Sequence, residues 1–306
     1  MKKIPISIAI PALNEEANIK KLLTCLLTQK NKNYKLIELI VVSDGSTDNT
    51  VGIVNNFNNK FVRIVNYKKR KGKSARLNDI FHKVIDWNKS DLVVLFDADT
   101  MPNDSLVVDN LVDNFNKYEN VRLVSGGPIP ALPKTFFEKV LQVSAFLQGK
   151  IKQEIPNSVF TCHGRSLAIH KDLARKLIVP INMVGNDAFI YFLNKKNNYE
   201  YRYVYNANVK YRMPASFLDF KKQFTRFKNS QQMLQKYFGN WIVDEYNIPK
   251  LIYIKSILYS LFQYPISAPI YYISCIYALI DSEKNNKSGD EAHSGKWDVS
   301  SSTKKL

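Results

Sequence analysis

The feature that most restricts this chain is a repeated exchange of short apolar runs and amphipathic stretches over its first 124 residues. Ile6–Ile10 is apolar and predicts an opening strand. Glu15–Gln29 follows with Ile19, Leu22, Leu23 and Leu26 at helical spacing. Leu39–Val42 is a second strand, then come the turn residues Ser43-Asp44-Gly45-Ser46 and a helix capped by Asp48. Val62–Val65 predicts a third strand and Ser74–Trp87 a helix. Leu92–Phe96, a helix over Asn103–Asn114, and Val121–Val124 before Gly126-Gly127 complete the series. Continuous apolar strands alternating with helices of about a dozen residues make βαβ units, hence a mostly parallel sheet covered on both faces. The start, MKKIPISIAIPALNEE, imitates a signal peptide but has no small-residue cleavage site, so the first strand is expected to enter the fold directly.

Polar sites in such α/β sheets gather at the carboxyl ends of the strands. Asn14-Glu15, Asp44 and Asp97/Asp99 all fall there. Charge supplies a second constraint: 44 Lys+Arg against 27 Asp+Glu leave a formal net charge of +17. That excess calls for an anionic partner, and nucleic acid, nucleotide phosphates and membrane lipid all qualify. Cys25, Cys162 and Cys275 show no paired spacing, which excludes a disulfide framework and a Cys-rich zinc site and fits a reducing compartment.

Asp97-Ala98-Asp99 places two carboxylates in one strand-end loop, where they repel unless a cation lies between or beside them. Hard ions such as Mg²⁺ or Mn²⁺ accept carboxylate oxygens and bridge to phosphates. Lys68-Lys69-Arg70-Lys71-Gly72-Lys73, with Arg76 just inside the next helix, is a charge run that on composition alone is a solvated face or a nucleic-acid patch. Its place before the acidic loop would let it reach the phosphates of a nucleotide.

Taken in order, PALNEE (Pro11–Glu16), VVSDGSTDNT (Val41–Thr50), KGKSARLN (Lys71–Asn78) and LFDADT (Leu95–Thr100) resemble family 2 glycosyltransferases with the GT-A fold. Cys162-His163-Gly164-Arg165 and Ser166–His170 resemble that family's acceptor-side glycine strand. Gly185-Asn186-Asp187 is similar to its Glu-Asp motif, and Gln223-Phe224-Thr225-Arg226-Phe227 to its QxxRW motif. The resemblance implies that Pro11, Ala12, Asn14, Glu15 and Asp44 surround the base and ribose of a nucleotide sugar, with Arg76 near its phosphates. It implies that Asp97 holds the nucleotide and, with Asp99, a Mg²⁺ or Mn²⁺ ion. Asp187 would be the general base for an inverting single displacement. Gln223 and Arg226 would bind the diphosphate or the acceptor, and Gly164, Arg165, Asn186 and Phe227 would lie on the acceptor side. Two positions depart from the family: Asn186 replaces an acid, and Phe227 replaces a tryptophan and loses its N–H donor.

Residues 1–215 are thus expected to form the catalytic domain. Over 216–250, Phe217, Phe220, Phe224 and Phe227 recur at intervals of three and four among Lys221, Lys222, Arg226 and Lys228, an amphipathic helix suited to a lipid interface. Ser256–Ile280 has no charged side chain, so 251–281 is expected to span a membrane as a bent segment or to re-enter it, bent at Pro265 and Pro269. Residues 282–306 form a polar tail. The partners expected are a UDP- or GDP-sugar, a lipid or lipid-linked acceptor and the cytoplasmic face of a membrane, with no nucleic acid. A subunit of a processive polysaccharide synthase is the alternative within the enzyme class. A basic nucleic-acid-binding protein and an inactive membrane scaffold are the alternatives outside it.

Overall fold

The computed structural model describes residues 3–287, with side chains through Glu283. Of the expected polar tail, 282–287 continue the last helix and 288–306 lie outside the described residues. The chain begins with β1 (Ile4–Ala12), α1 (Ile19–Leu27), β2 (Tyr34–Asp44), α2 (Thr50–Asn55) and β3 (Val62–Tyr67). Then come α3 (Lys73–Asp79), β4 (Leu92–Phe96), β5 (Thr100–Pro102), α4 (Val107–Lys117) and β6 (Val121–Pro130). The second half holds α5 (Phe136–Glu154), β7 (Ser166–His170), α6 (Lys171–Ala174), α7 (Asn186–Lys196) and β8 (Glu200–Tyr211). It ends in α8 (Phe217–Phe238), α9 (Ile242–Glu245), α10 (Lys250–Gln263) and α11 (Ser267–Lys287).

The strands form one eight-stranded sheet in the order β3-β2-β1-β4-β7-β6-β8-β5. Strands β1 to β4 run parallel, whereas β7 runs against both its neighbours, β4 and β6. Alternation within the apolar runs explains the coverage of both faces. Ala9, Ile40, Val42, Val93 and Leu95 enter one core with Phe81, Phe189 and Phe192. Their neighbours Ile8, Ile10, Leu39, Val41, Val94 and Phe96 enter the other, against α1 and α4. The expected helix over Ser74–Trp87 is shorter: α3 ends at Asp79 and widens into a single π-turn over Ile80–Val84.

Two expectations for the C-terminal part are corrected. Ser256–Ile280 is not one span, because the chain leaves the helical path at Tyr264-Pro265-Ile266 and no described helix is long and apolar enough to cross a membrane. Pro265 lacks the N–H that would continue α10, and the residue before it is driven out of helical geometry. Three of the four stripe aromatics of α8 also face inward, Phe227 being exposed. Phe217, Phe220 and Phe224 pack with Phe137 of α5 and Tyr271 of α11, and Phe220 meets Phe137 at 5.9 Å between ring centroids. Lys221 and Lys228, expected to face lipid headgroups, pair instead with Asp281 (3.0 Å) and Glu283 (3.2 Å) of α11.

Candidate active site

The carboxyl ends of β1 and β2 carry two loops that latch onto each other. Asn14 adopts a left-handed backbone, φ 55°, which asparagine tolerates. Its Oδ1 accepts the Thr47 N–H at 2.7 Å, and its own N–H donates to Ser46 Oγ at 3.1 Å. The Glu15 N–H donates to Thr50 Oγ1 at 2.7 Å. Glu16 N–H donates to Asp48 Oδ2 at 3.0 Å, and Glu16 Oε2 accepts the Asn49 N–H at 2.9 Å. Pro11 and Ala12 close β1 at this edge and Glu15 is buried beside it, so the nucleotide-side residues expected from the sequence do share one place.

Asp44 and Arg76 are more enclosed than expected. Asp44 accepts the Lys71 N–H and the Gly72 N–H, both at 2.8 Å, and Arg76 Nε at 2.6 Å. Arg76, 1% exposed, also donates to Asp79 Oδ2 at 2.8 Å and to the Lys69 carbonyl at 2.7 Å, with its guanidinium 3.6 Å above the Tyr67 ring. Arg76, expected near the phosphates, is shut inside and folds the Lys68–Gly72 loop around Asp44. Gly45 belongs to the same fastening. At φ 78° it is a strained position for other residues, and a Cβ there would stand 3.0 Å from Arg70 N.

The acidic loop hangs from β4. Phe96 pairs with Ser166 of the antiparallel β7, which brings the Arg165 carbonyl to the Asp97 N–H at 3.3 Å. Lys73, from the basic run, forms an ion pair with Asp97 Oδ1. Burial pushes the Asp99 carboxyl above its ordinary range and the charge of Asp97 adds to this, while Arg165 and Lys73 oppose it. Two adjacent carboxylates are a donor set for a hard divalent ion, but only part of one. Among the described residues no group of three or more His, Cys, Asp or Glu side chains converges. Such an ion would complete its shell with oxygens from outside the chain, the habit of Mg²⁺ at phosphate sites.

The reversal of β7 also carries Gly164 to this edge. Its N–H donates to Asp187 Oδ2 at 3.0 Å, and Asp187 Oδ1 accepts the Ala188 N–H at 2.9 Å in the first turn of α7. Arg226 of α8 lies in the fields of Asp187, Asp97 and Asp99, with Arg165 opposing; burial lowers its pKa. One guanidinium therefore senses all three acids. Gln223, one turn earlier on the same helix, is half-buried. Asn186, expected on the acceptor side, is turned toward α3. It is buried against Ser74 Oγ at 2.9 Å, and Ser74 Oγ also donates to the Met183 carbonyl at 2.9 Å, so Asn186 ties α7 to α3. Phe227 is 57% exposed and builds no enclosed wall, with the Arg226 guanidinium 5.5 Å from its ring centroid. Arg165 stacks 3.9 Å above Tyr211.

Two residues at this edge carry no signal of their own in the sequence. Lys73 is the last cation of a run of five, and only the fold singles it out. Lys152 lies in a helix with no recognisable motif, yet it is buried close enough to Arg165 to feel its charge. His163 sits inside the glycine motif, and its buried Nε2 meets no hydrogen-bond partner among the described residues.

This arrangement has relatives. A probable glycosyltransferase of Bacillus subtilis (strain 168) is 38% identical over 108 residues, 33% of this chain and 24% of that protein. A poly-beta-1,6-N-acetyl-D-glucosamine synthase of Staphylococcus epidermidis is 26% identical over 165 residues, 54% of this chain and 35% of that protein. The chain thus aligns with about a quarter to a third of these longer proteins. Among solved structures, a mannosyltransferase from Pyrobaculum calidifontis in complex with GDP-Man and Mn²⁺ superposes with a TM-score of 0.60 at 17% identity, covering 94% of this chain and 80% of that one. Glucosyl-3-phosphoglycerate synthase from Mycobacterium tuberculosis, with Mn²⁺, UDP and phosphoglyceric acid, gives 0.55 at 20% identity, covering 77% and 79%. These two share the fold. The pattern of Glycosyl transferase family 2 matches residues 7–178, more than half of the sequence, and the chain belongs to that family.

Proposed function

We propose that the chain moves a sugar from a UDP- or GDP-sugar to a hydroxyl of a lipid or lipid-linked acceptor at the cytoplasmic face of a membrane, inverting the anomeric carbon. The observation that carries this reading is that Arg165 and Gly164, neighbours in the chain, hold the Asp97 loop and Asp187 at one sheet edge, through the Asp97 N–H at 3.3 Å and Asp187 Oδ2 at 3.0 Å. Asp97 and Asp99 would hold a Mg²⁺ or Mn²⁺ ion, which when bound offsets the charge of the departing nucleoside diphosphate. Lys73 adds a cation beside Asp97, and Arg226 adds one within electrostatic reach of the acids. Asp187 is oriented by the Gly164 N–H and takes the proton of the acceptor hydroxyl at Oδ1 or Oδ2 as that oxygen attacks. A single base with direct displacement gives inversion.

The membrane part of the reading is supported by α10 and α11. Leu258, Phe262, Ile266, Ile273 and Ile276 are all exposed around the break at Pro265, and Phe262 is 87% exposed. Exposed apolar residues in such number mark an interaction surface. A second reading, part of a processive polysaccharide synthase, is favoured by the similarity to the Staphylococcus epidermidis synthase.

A screen of nucleotide sugars with Mg²⁺ and Mn²⁺ tests the chemistry. Asp99→Asn and Asp187→Asn should each lower transfer by roughly a hundredfold or more, the scale of lost charge stabilisation or lost general-base catalysis. A rate within twofold of the parent for either variant rejects that residue's role. Products extended by many sugars while most of an excess of acceptor stays unused would favour the second reading.

A further inference from the structure

We propose that Lys152, His163 and Arg165 form a phosphate-binding subsite on the acceptor side of Asp187, so that the acceptor carries a phosphate or diphosphate group. The inference rests on the glycosyltransferase reading above and narrows its substrate class.

Lys152 comes from the last turn of α5 and is 8% exposed. Its carbonyl accepts the Tyr205 hydroxyl at 2.8 Å, which fixes that turn against β8. Its ammonium lies 5.4 Å from the centre of the Tyr203 ring, and no ion pair joins it to a described carboxylate. His163 is held by its N–H, which donates to Ser125 Oγ at 3.1 Å, while its buried Nε2 is without a partner among the described residues. Arg165 stacks on Tyr211 and likewise forms no ion pair among the described residues. Lys152 and Arg165 repel one another, and their charges disfavour a proton on His163. Burial and then Arg165 push the Lys152 ammonium down to about 8, and burial, Lys152 and Arg165 push the His163 ring well below its ordinary value.

A buried cation without a counter-ion, as Lys152 is among the described residues, is costly, and the site gains when a ligand supplies the charge. Lys152 offers a point charge, Arg165 a planar fork, and His163 a nitrogen that becomes a donor once an anion sits beside it. That set suits a dianionic phosphate better than a neutral sugar. The placement is also specific. His163 and Arg165 flank Gly164, whose N–H orients Asp187, so the subsite is built into the segment that positions the base.

A prenyl-diphosphate-linked sugar and a soluble sugar phosphate offer the same group, and three acceptors separate them. The full chain is given a prenyl-diphosphate-linked sugar in phosphatidylcholine vesicles, an uncharged alkyl glycoside of that sugar in the same vesicles, and its soluble 1-phosphate. The phosphate-bearing acceptors should exceed the alkyl glycoside in kcat/KM by roughly tenfold or more, the effect of one or two charge-assisted hydrogen bonds. Lys152→Met should shrink that ratio below about threefold, and Lys152→Arg should restore most of it. Equal use of the alkyl glycoside by the parent chain overturns the subsite while leaving the membrane reading intact. Equal use of the soluble 1-phosphate and the lipid-linked sugar supports the subsite and removes the lipid from the proposed function. If Lys152→Met raises the KM of the nucleotide sugar and leaves the acceptor ratio alone, the cations serve the donor and the inference falls. Should that variant not fold, acetylation of Lys152 in the parent chain decides: the sugar 1-phosphate should slow it and the alkyl glycoside should not, and equal rates overturn the proposal.

Discussion

Arg76 is the side chain on which the donor edge depends, because it is enclosed and serves several acceptors at once. Removing it by Arg76→Met leaves Asp44 and Asp79 as buried carboxylates without their guanidinium. Loss of one partner from a buried pair costs about 3–5 kcal/mol, and urea unfolding should show a loss of that size. Arg76→Lys should recover little, since one ammonium cannot reach Asp44, Asp79 and the Lys69 carbonyl together. Lys152 gives a pH signature. Its folded-state pKa is lowered from 10.5 to about 8 by burial and by Arg165. Between these values the unfolded chain holds the proton that the folded chain has lost, so stability should rise with pH across that window. Lys152→Met should be the more stable form near neutrality and should flatten the rise, as unfolding measured from pH 7 to 10.5 would show. Neither behaviour can be read from a list of charges. Arg76 and Lys152 are both basic residues in a chain of net charge +17, and only their burial separates them from the solvated lysines.

At the scale of elements, the contact of α7 with α8 sets where Asp187 and Arg226 stand. Gly185 precedes α7, and a Cβ there would lie 2.0 Å from Ser230 Oγ of α8. Its φ of −95° is open to alanine, so the obstacle is the neighbouring helix and not the backbone. Gly185→Ala should therefore push the helices apart, costing about 1–3 kcal/mol as overpacking does, with kcat falling as well. Removing the hydroxyl by Ser230→Ala in the same chain should restore most of both losses. A double-mutant cycle with a coupling near zero would show that the contact does not matter. The strands, the motif loops and their common edge were legible in the sequence because each is local: a run of apolar residues, a turn and an acid follow one another within a dozen positions. Asn186 and α8 were not, for the opposite reason. Asn186 meets Ser74 across 112 positions, and Lys221 and Lys228 find their acids on α11 more than fifty residues later, at Asp281 and Glu283. An amphipathic basic helix has the same pattern whether its stripe meets lipid or another helix, and here Phe137 and Tyr271 are what it meets.

The same packing changes how membrane attachment of the whole molecule must be tested. Cutting the chain at 250 would remove α10 and α11, and with them Tyr271, Cys275 and Ala278 from the cluster around Phe220 and Leu141. A chain cut in this way would lose binding and stability together, and the result would say nothing about lipid. Phe262, before the helical break, and Ile266, within it, are 87% and 71% exposed and can be changed without opening that cluster. Lys250 and Lys255 are exposed on the same helix as Leu251, Ile254 and Leu258, so an apolar face and positive charge adjoin. An anionic headgroup layer attracts such lysines by about 1 kcal/mol each and screens them with salt, whereas burial of the apolar face is insensitive to salt. The double variant Phe262→Ser with Ile266→Ser should therefore reduce flotation with phosphatidylglycerol vesicles at both low and high salt, with the melting temperature unchanged. Lys250→Gln with Lys255→Gln should reduce flotation at low salt only. Undiminished flotation of the first variant would place the apolar surface against something other than lipid, and would leave the excess of positive charge to the nucleotide and acceptor phosphates alone.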